Sequence, residues 1–273
     1  MAEHRGVVLR TERVSRHMVR VILGGDGLAG FATSGLTDHY VKLIFPYDGV
    51  EYPEPFTMEL CRETMPREHW PRLRTYTVRA WDPDALELTL DFVVHGDEGL
   101  AGPWAERAVP GDELFMLGPG GGYAPDPGAD WHLLVGDLSA LPAIAASLEA
   151  LPAGALAHVF VEVDGPEDEQ KLTTAADARV TWIHRGDRPV GVGLVETVRG
   201  LEFPDGDVHA FVHGEAGFVK ELRRHLRVER GVGLDQLSIS GYWRIGVDDE
   251  AWRAVKRDWN RQVEAEEAAA IAS

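Results

Sequence analysis

Short apolar runs separated by turn residues fill the first part of the chain. They lie at residues 7–9, 18–23, 40–45, 74–81, 86–94 and 114–117. Residues 86–91 alternate between apolar and polar side chains, as a strand with one buried face does. Short strands at this spacing predict an antiparallel barrel or sandwich. Residues 47–71 contain four prolines and predict a long loop.

The second part of the chain alternates between strands and helices. Apolar strand patterns at 131–135, 157–163, 180–183, 208–212 and 237–240 surround helical patterns at about 140–151 and 217–229. This alternation predicts an α/β domain with a parallel sheet covered by helices. A last helix is predicted over about 248–270, where Trp252, Val255, Trp259 and Val263 form one apolar stripe.

A segment rich in glycine and proline at 118–128 separates the two patterns. We therefore predict two domains. The predicted boundaries are a barrel over 1–120, a linker over 121–128, an α/β domain over 129–241 and a C-terminal extension with a helix over 242–273.

Charge and composition exclude several classes of protein. The 273 residues carry 27 Lys+Arg against 45 Asp+Glu, a net charge of −18, which disfavours nucleic acid and anionic membrane as partners. The single cysteine, Cys61, excludes an intramolecular disulfide and a cysteine-based metal centre. No run reaches the ~20 apolar residues of a membrane span. We expect a cytoplasmic monomer with no metal site.

The first candidate for chemistry is the strand segment Arg74, Thr75, Tyr76 and Thr77. Arg74 and Tyr76 share one face of the strand, where a guanidinium can bind phosphate and a phenol ring can stack on a flat heterocycle. Together with a polar group from Thr77, this combination describes a flavin dinucleotide. These four residues alone favour the simpler interpretation, an ordinary barrel strand with one surface arginine and a half-buried tyrosine.

Downstream residues strengthen the flavin interpretation. Phe92, Val93, Val94 and His95 end a strand, and a short helix follows near Pro103. Backbone amides at the start of this helix can bind a pyrophosphate. His95 could contact the cofactor or be a polar residue at a turn.

A second candidate site follows the strand at 131–135. Gly136 and Asp137 precede a helix that Ser139 could cap, and a similar arrangement at Gly214 and Glu215 follows the fourth strand of this part. The chain has no G-x-G-x-x-G, so a nucleotide would be held by backbone and helix ends. A plain strand–helix turn remains an alternative.

The order of these motifs, ending in Gly241, Tyr242, Trp243 and Arg244, resembles the siderophore-interacting protein family over nearly the whole chain. The resemblance implies a ferredoxin–NADP reductase-like fold, non-covalent FAD, and reduction of ferric siderophores by NADH or NADPH. The flavin carries the redox chemistry, so no catalytic side chain is implied.

The resemblance also implies roles for individual residues. The residues implied to bind FAD are Arg74, Thr75, Tyr76, Thr77, Phe92, Val93, Val94, His95, Leu100, Ala101, Gly102, Trp104, Tyr242 and Trp243. Those implied to bind NAD(P)H are Gly136, Asp137, Ser139, Ala140, Leu141, Pro142, Gly214 and Glu215. Those implied to bind the ferric siderophore are Lys42, Arg244 and Lys256.

The chain departs from the family pattern at Gly120, where the family often has an arginine. This loss of positive charge predicts a preference for neutral or mildly anionic iron chelates. Arg185 and Arg188 could receive the 2′-phosphate of NADPH, although surface arginines are common. A non-catalytic siderophore carrier, a general flavin or electron-transfer reductase, and electron donors other than NAD(P)H remain alternatives.

Overall fold

The computed structural model describes residues 1–96 and 99–272. They divide into two units, Met1–Gly122 and Tyr123–Ser273, called here the barrel unit and the sheet unit. The barrel unit is a closed antiparallel barrel in the order β1-β2-β5-β4-β3-β6. Its strands are β1 (Ala2–Ser15), β2 (Met18–Gly24), β3 (Tyr40–Phe45), β4 (Arg72–Asp82), β5 (Glu87–Val93) and β6 (Glu113–Gly120).

Alternating apolar side chains fill the inside of the barrel. Val21, Leu23, Leu88 and Leu90 are all buried, which confirms the one-sided strand predicted at 86–91. Strand β1 is much longer than the predicted run at 7–9, because its first part pairs with β6 and its second part with β2. Residues 9–13 are exposed, so this second part has no apolar pattern that the sequence could show.

The stretch at 47–71 was predicted to be one long loop, but part of it is helical. It contains helix α1 (Met58–Thr64), whose start is capped by Thr57 Oγ1 accepting from Leu60 N at 3.1 Å. Cys61 on this helix is fully buried. The prolines on either side favoured a loop in the sequence, but Thr57 is a good N-cap residue and stabilises the start of the helix.

The sheet unit contains five parallel strands in the order β11-β10-β7-β8-β9. They are β7 (Trp131–Asp137), β8 (Leu156–Val163), β9 (Asp177–His184), β10 (Val208–Glu215) and β11 (Leu237–Trp243). The helices are α2 (Ala101–Arg107) in the barrel unit, and α3 (Leu141–Ala150), α4 (Val192–Arg199), α5 (Ala216–Arg224) and α6 (Asp249–Ile271) in the sheet unit. This architecture confirms the predicted fold class.

The helices differ from the predictions in three respects. First, the sequence did not predict α4. Second, the helix predicted to run to residue 229 is α-helical only as far as Arg224, and a π-helical turn follows at His225–Glu229. On α6, Trp252 and Val263 are buried, but Val255 is 45% exposed and does not belong to the apolar stripe. Lys256, half-buried, takes the position between the two tryptophans. In the described part of the chain, no helix combines the length and the apolarity needed to cross a membrane.

Candidate functional site

The barrel unit brings the predicted strand motif on β4 next to aromatic residues of β5 and α2. Tyr76 is half-buried, and its ring centroid lies 4.4 Å from that of Phe92. The centroid of the Trp104 ring lies 5.6 Å from that of Phe92. We call these three rings the aromatic wall. Phe92 is fully buried within it, whereas the half-buried rings of Tyr76 and Trp104 keep surface that could stack against a flat heterocycle.

The polar members of the motif lie beside this wall. Arg74 is half-buried and its Nη1 donates to Leu73 O at 3.0 Å. Thr77 is only 8% exposed, whereas Thr75 is exposed and pairs across the strands with Lys42. Strand geometry thus separates Thr75 from Arg74 and Tyr76.

Helix α2 approaches the end of β5 closely. A Cβ on Gly102 would lie 2.9 Å from Val93 O, so only glycine allows this approach. Trp104 N donates to Leu100 O at 3.2 Å, so it is already used inside the helix. Pro103 has no amide hydrogen, so Ala101 and Gly102 carry the other amide hydrogens at the start of this helix. Val94 is buried, while His95 is exposed.

These features fit an FAD. The aromatic wall offers a stacking surface, Arg74 offers a phosphate partner, and Gly102 provides a side-chain-free approach at the start of α2. Of the fourteen residues predicted to bind FAD, twelve lie in the barrel unit. Tyr242 and Trp243 lie on β11 in the sheet unit.

In the sheet unit, the Asp137 carboxylate connects the carboxyl ends of three strands. Its Oδ1 accepts from Ser139 N at 2.9 Å and from the Ser139 hydroxyl. Its Oδ2 accepts from Glu215 N at 2.9 Å and from Trp243 Nε1 at 2.8 Å. Burial raises the pKa of the Asp137 carboxyl, while these hydrogen bonds oppose the shift. The prediction that Ser139 caps α3 is wrong, because α3 has no side-chain cap.

Glu215, at the end of the neighbouring strand β10, also accepts hydrogen bonds from backbone amides. It is 4% exposed, and its Oε2 accepts from Gly217 N and Phe218 N at the start of α5. Its Oε1 accepts from Ile245 N at 3.3 Å. The helix end that appeared available for phosphate is therefore occupied by the chain's own carboxylate, so Glu215 holds the loops in place.

Glycines allow these close contacts. Gly214 has φ of 139°, and a Cβ there would lie 2.6 Å from Asp137 Oδ2. A Cβ on Gly136 would lie 2.5 Å from that of Ala140, so α3 packs directly on the end of β7. Ala140 and Leu141 are almost fully buried. Gly136, Gly214, Ala140 and Leu141, all predicted to bind NAD(P)H, therefore pack closely around the crevice between β7 and β10.

His213 lies at the same crevice and is not among the residues predicted from the sequence. Its ring stacks on Phe211 at 3.9 Å and lies 4.9 Å from Tyr242. Burial lowers the pKa of His213 to about 3, and the Lys256 ammonium adds to the shift. Nε2 lies 3.0 Å from Ser238 Oγ, while the buried Nδ1 has no partner. Only the packing of β10 against β11 reveals this neutral imidazole.

The two units match models of known families. Residues 7–123 match the siderophore-interacting FAD-binding domain, and residues 129–246 match the siderophore-interacting protein model. The ferric vibriobactin reductase of Vibrio cholerae is 36% identical over 89% of this chain and 90% of its own. The chain belongs to the siderophore-interacting protein family.

Other comparisons agree with this membership. The NADPH-dependent ferric-chelate reductase of Escherichia coli is 31% identical over 86% of this chain and 91% of its own. The crystal structure of the siderophore-interacting protein SipS of Aeromonas hydrophila superposes with a TM-score of 0.81 at 32% identity, covering 95% and 98% of the chains. A ferredoxin reductase of carbazole 1,9a-dioxygenase, at 16% identity and a TM-score of 0.62, shares the ferredoxin reductase-like fold.

The basic residues that the family resemblance assigned to the siderophore lie in both units. Lys42 is half-buried on β3 of the barrel unit. In the sheet unit, Arg244 lies 5.9 Å over the Trp252 ring, and Lys256 has a lowered pKa because it is partly buried. A Cβ on Gly120 would lie 2.5 Å from Tyr40 Cζ. The tyrosine ring thus occupies the space that a side chain at 120 would need.

Proposed function

We propose that this member of the family is an FAD-containing, NAD(P)H-dependent reductase that converts Fe(III)-siderophore to Fe(II) and releases iron in the cytoplasm. The observation that carries this proposal is the aromatic wall of Tyr76, Phe92 and Trp104, with Arg74 beside it and Gly102 at the start of α2. The ferric reductases among the relatives support the same reaction.

The protein's own residues supply binding and orientation. Tyr76 would stack on the flavin ring, Arg74 would bind a phosphate, and the amides of Ala101 and Gly102 would face the pyrophosphate. Bound FAD would supply the exchange between a two-electron nicotinamide donor and one-electron delivery to Fe(III). Iron leaves because Fe(II) holds hard oxygen ligands more weakly than Fe(III). This chemistry needs no acid or base from the protein.

The sheet unit would bind the nicotinamide nucleotide at the carboxyl ends of β7 and β10. The order of strands reverses between these two strands, and such a crevice is where open α/β sheets bind ligands. Asp137 and Glu215 hold the loops around this crevice through hydrogen bonds to backbone amides. We assign them positioning roles in the nucleotide site.

The test combines a spectrum with turnover. The purified protein should show flavin absorbance, or bind added FAD, and should form Fe(II) from ferric chelates with NADH or NADPH, detected by a ferrous-specific chelator. A colourless protein that cannot be reconstituted with FAD would contradict the proposal. Chelate binding without Fe(II) formation would indicate a carrier, and faster reduction of free flavin than of any chelate would indicate a general flavin reductase.

Two arginine variants separate the cofactor site from general charge effects. Arg74→Ala should raise the Kd for FAD about tenfold or more, because a charge-assisted hydrogen bond to phosphate is lost. The matched control is Arg5→Ala, because Arg5 is an exposed barrel arginine that pairs with Glu113. The control should keep the Kd of the wild type. Equal effects in both variants would remove Arg74 from the FAD site.

A further inference from the structure

The carboxyl ends of the parallel strands determine how the sheet unit can treat a nucleotide. The chain passes from β7 through α3 to β8, and β8 lies next to β7 in the sheet. In dinucleotide-binding sheets, the adenosine ribose lies near the end of this second strand. A carboxylate there accepts hydrogen bonds from an unmodified ribose, whereas an arginine there accommodates a 2′-phosphate.

At this position β8 ends in acidic residues. Glu162 is 4% exposed, and its Oε1 accepts from Gly191 N at 2.8 Å, while the buried Oε2 has no partner. Asp164 is the first acid after the last residue of β8 and is partly exposed. The edge therefore carries two carboxylates, the buried Glu162 and the more exposed Asp164, and Asp164 is the one open to a ligand.

The loops after β8 and β9 carry an excess of negative charge. Residues 162–170 contain five acids and no Lys or Arg, and residues 184–188 contain two arginines and one acid. The balance is 2 − 6 = −4 with histidine neutral. A 2′-phosphate placed at this edge would meet more carboxylate than guanidinium, and like charges repel.

Both arginines of this region already face carboxylates. Arg185 pairs with Asp164, and Arg188 Nη2 lies 2.6 Å from Glu196 Oε2. The residues that could have received a 2′-phosphate are therefore engaged in ion pairs. A bound NADPH would have to compete for each guanidinium, whereas NADH makes no such demand.

We propose that the nucleotide donor of this protein is NADH, and that Asp164 determines the choice by accepting hydrogen bonds from the adenosine ribose and repelling a 2′-phosphate. This inference rests on the proposed function, because it specifies the donor of the same site. Glu162 and the Asp164–Arg185 pair set the charge of this edge.

The experiment measures kcat/KM for NADH and for NADPH with the FAD-loaded, full-length protein. The wild type should favour NADH at least tenfold. Asp164→Asn removes the repelling charge and releases Arg185, so it should lower this preference at least fivefold. The control Glu202→Gln changes an exposed acid that precedes β10 and should keep the ratio of the wild type. A wild type that favours NADPH or uses both equally, or an unchanged ratio in Asp164→Asn, would overturn the inference.

A binding measurement separates this inference from the reductase proposal. Calorimetry with 5′-AMP and 2′,5′-ADP reports the ribose pocket without turnover. The wild type should bind 5′-AMP more tightly, and Asp164→Asn should narrow the difference. If chemically reduced protein fails to reduce ferric chelates, the proposed function fails while the two binding constants still decide the inference. Tighter binding of 2′,5′-ADP to the wild type would overturn it even if turnover is normal.

Discussion

The buried imidazole of His213 makes the stability of the protein depend on pH. Its pKa is lowered to about 3 in the folded protein, against about 6.5 in an unfolded chain. Below pH 6.5 the unfolded state therefore binds a proton that His213 in the folded state does not bind. The contribution of His213 to the free energy of unfolding is thus complete above pH 6.5 and is lost as the pH falls towards 3.

From pH 7 to pH 5 this histidine should cost about 2 kcal/mol of unfolding free energy, at about 1.4 kcal/mol per pH unit below pH 6.5. Urea titrations at both pH values measure the loss. His213→Gln should lose about 2 kcal/mol less than the wild type over the same range, whereas His69→Gln, at an exposed position, should behave as the wild type. An identical loss in His213→Gln and the wild type would show that His213 does not have the lowered pKa.

Gly120 offers a second test at the scale of one residue. A methyl group there would lie 2.5 Å from Tyr40 Cζ, whereas nothing lies within 4 Å of the corresponding position on Gly122. Gly120→Ala should destabilise the protein by about 1–3 kcal/mol through overpacking, and Gly122→Ala should change stability by less than about 0.5 kcal/mol. Urea unfolding of both variants gives the comparison, and equal values would mean that the Tyr40 ring yields freely.

Among the elements, α6 provides the clearest prediction. Trp252 is 1% exposed, and its Cζ2 would lie 3.3 Å from a Cβ on Gly241, whereas Val255 is 45% exposed. Trp252→Ala should cost about 4 kcal/mol of unfolding free energy because a large buried side chain is removed. Val255→Ala should cost less than about 0.5 kcal/mol. Similar losses in the two variants would contradict the packing of α6 on β11.

The elements also show what the sequence could and could not predict. Strands with one buried face, such as β5, follow directly from period-two alternation. Helical spacing placed Val255 in the apolar stripe of α6. It could not show that the neighbouring Lys256 takes the buried position instead, because the long aliphatic stem of a lysine can also be buried. The role of Asp137 was out of reach, since its partners Glu215 and Trp243 are 78 and 106 residues away in the chain.

The local sequence predicts which residues are neighbours in the barrel unit better than it does in the sheet unit. Arg74 and Tyr76 lie on one strand, and α2 is the next helix after β5, so the local sequence already places these residues near one another. The crevice in the sheet unit is built from strand ends that meet only after folding. There the sequence could locate the residues but could not show that Glu215 occupies the amides of α5.

The charge of the whole molecule should affect its choice of iron chelate. A protein of −18 repels an anionic chelate at long range, and salt screens such repulsion. For an anionic tricatecholate complex we expect KM to fall about two- to threefold between 50 and 300 mM NaCl, while KM for a neutral hydroxamate complex stays constant. A KM for the tricatecholate complex that rises with salt would show that local basic residues such as Arg244 and Lys256 outweigh the global charge.

The position of Cys61 has a practical consequence. Cys61 is the only thiol in the sequence. Its side chain is fully buried in the barrel unit, and burial raises the pKa of the thiol. Thiol reagents react with the exposed thiolate, so the folded protein should remain unmodified by a maleimide dye. A cysteine introduced at the exposed Val255 position would then be the sole site of labelling, and fluorescence from α6 could be followed without first removing a native cysteine.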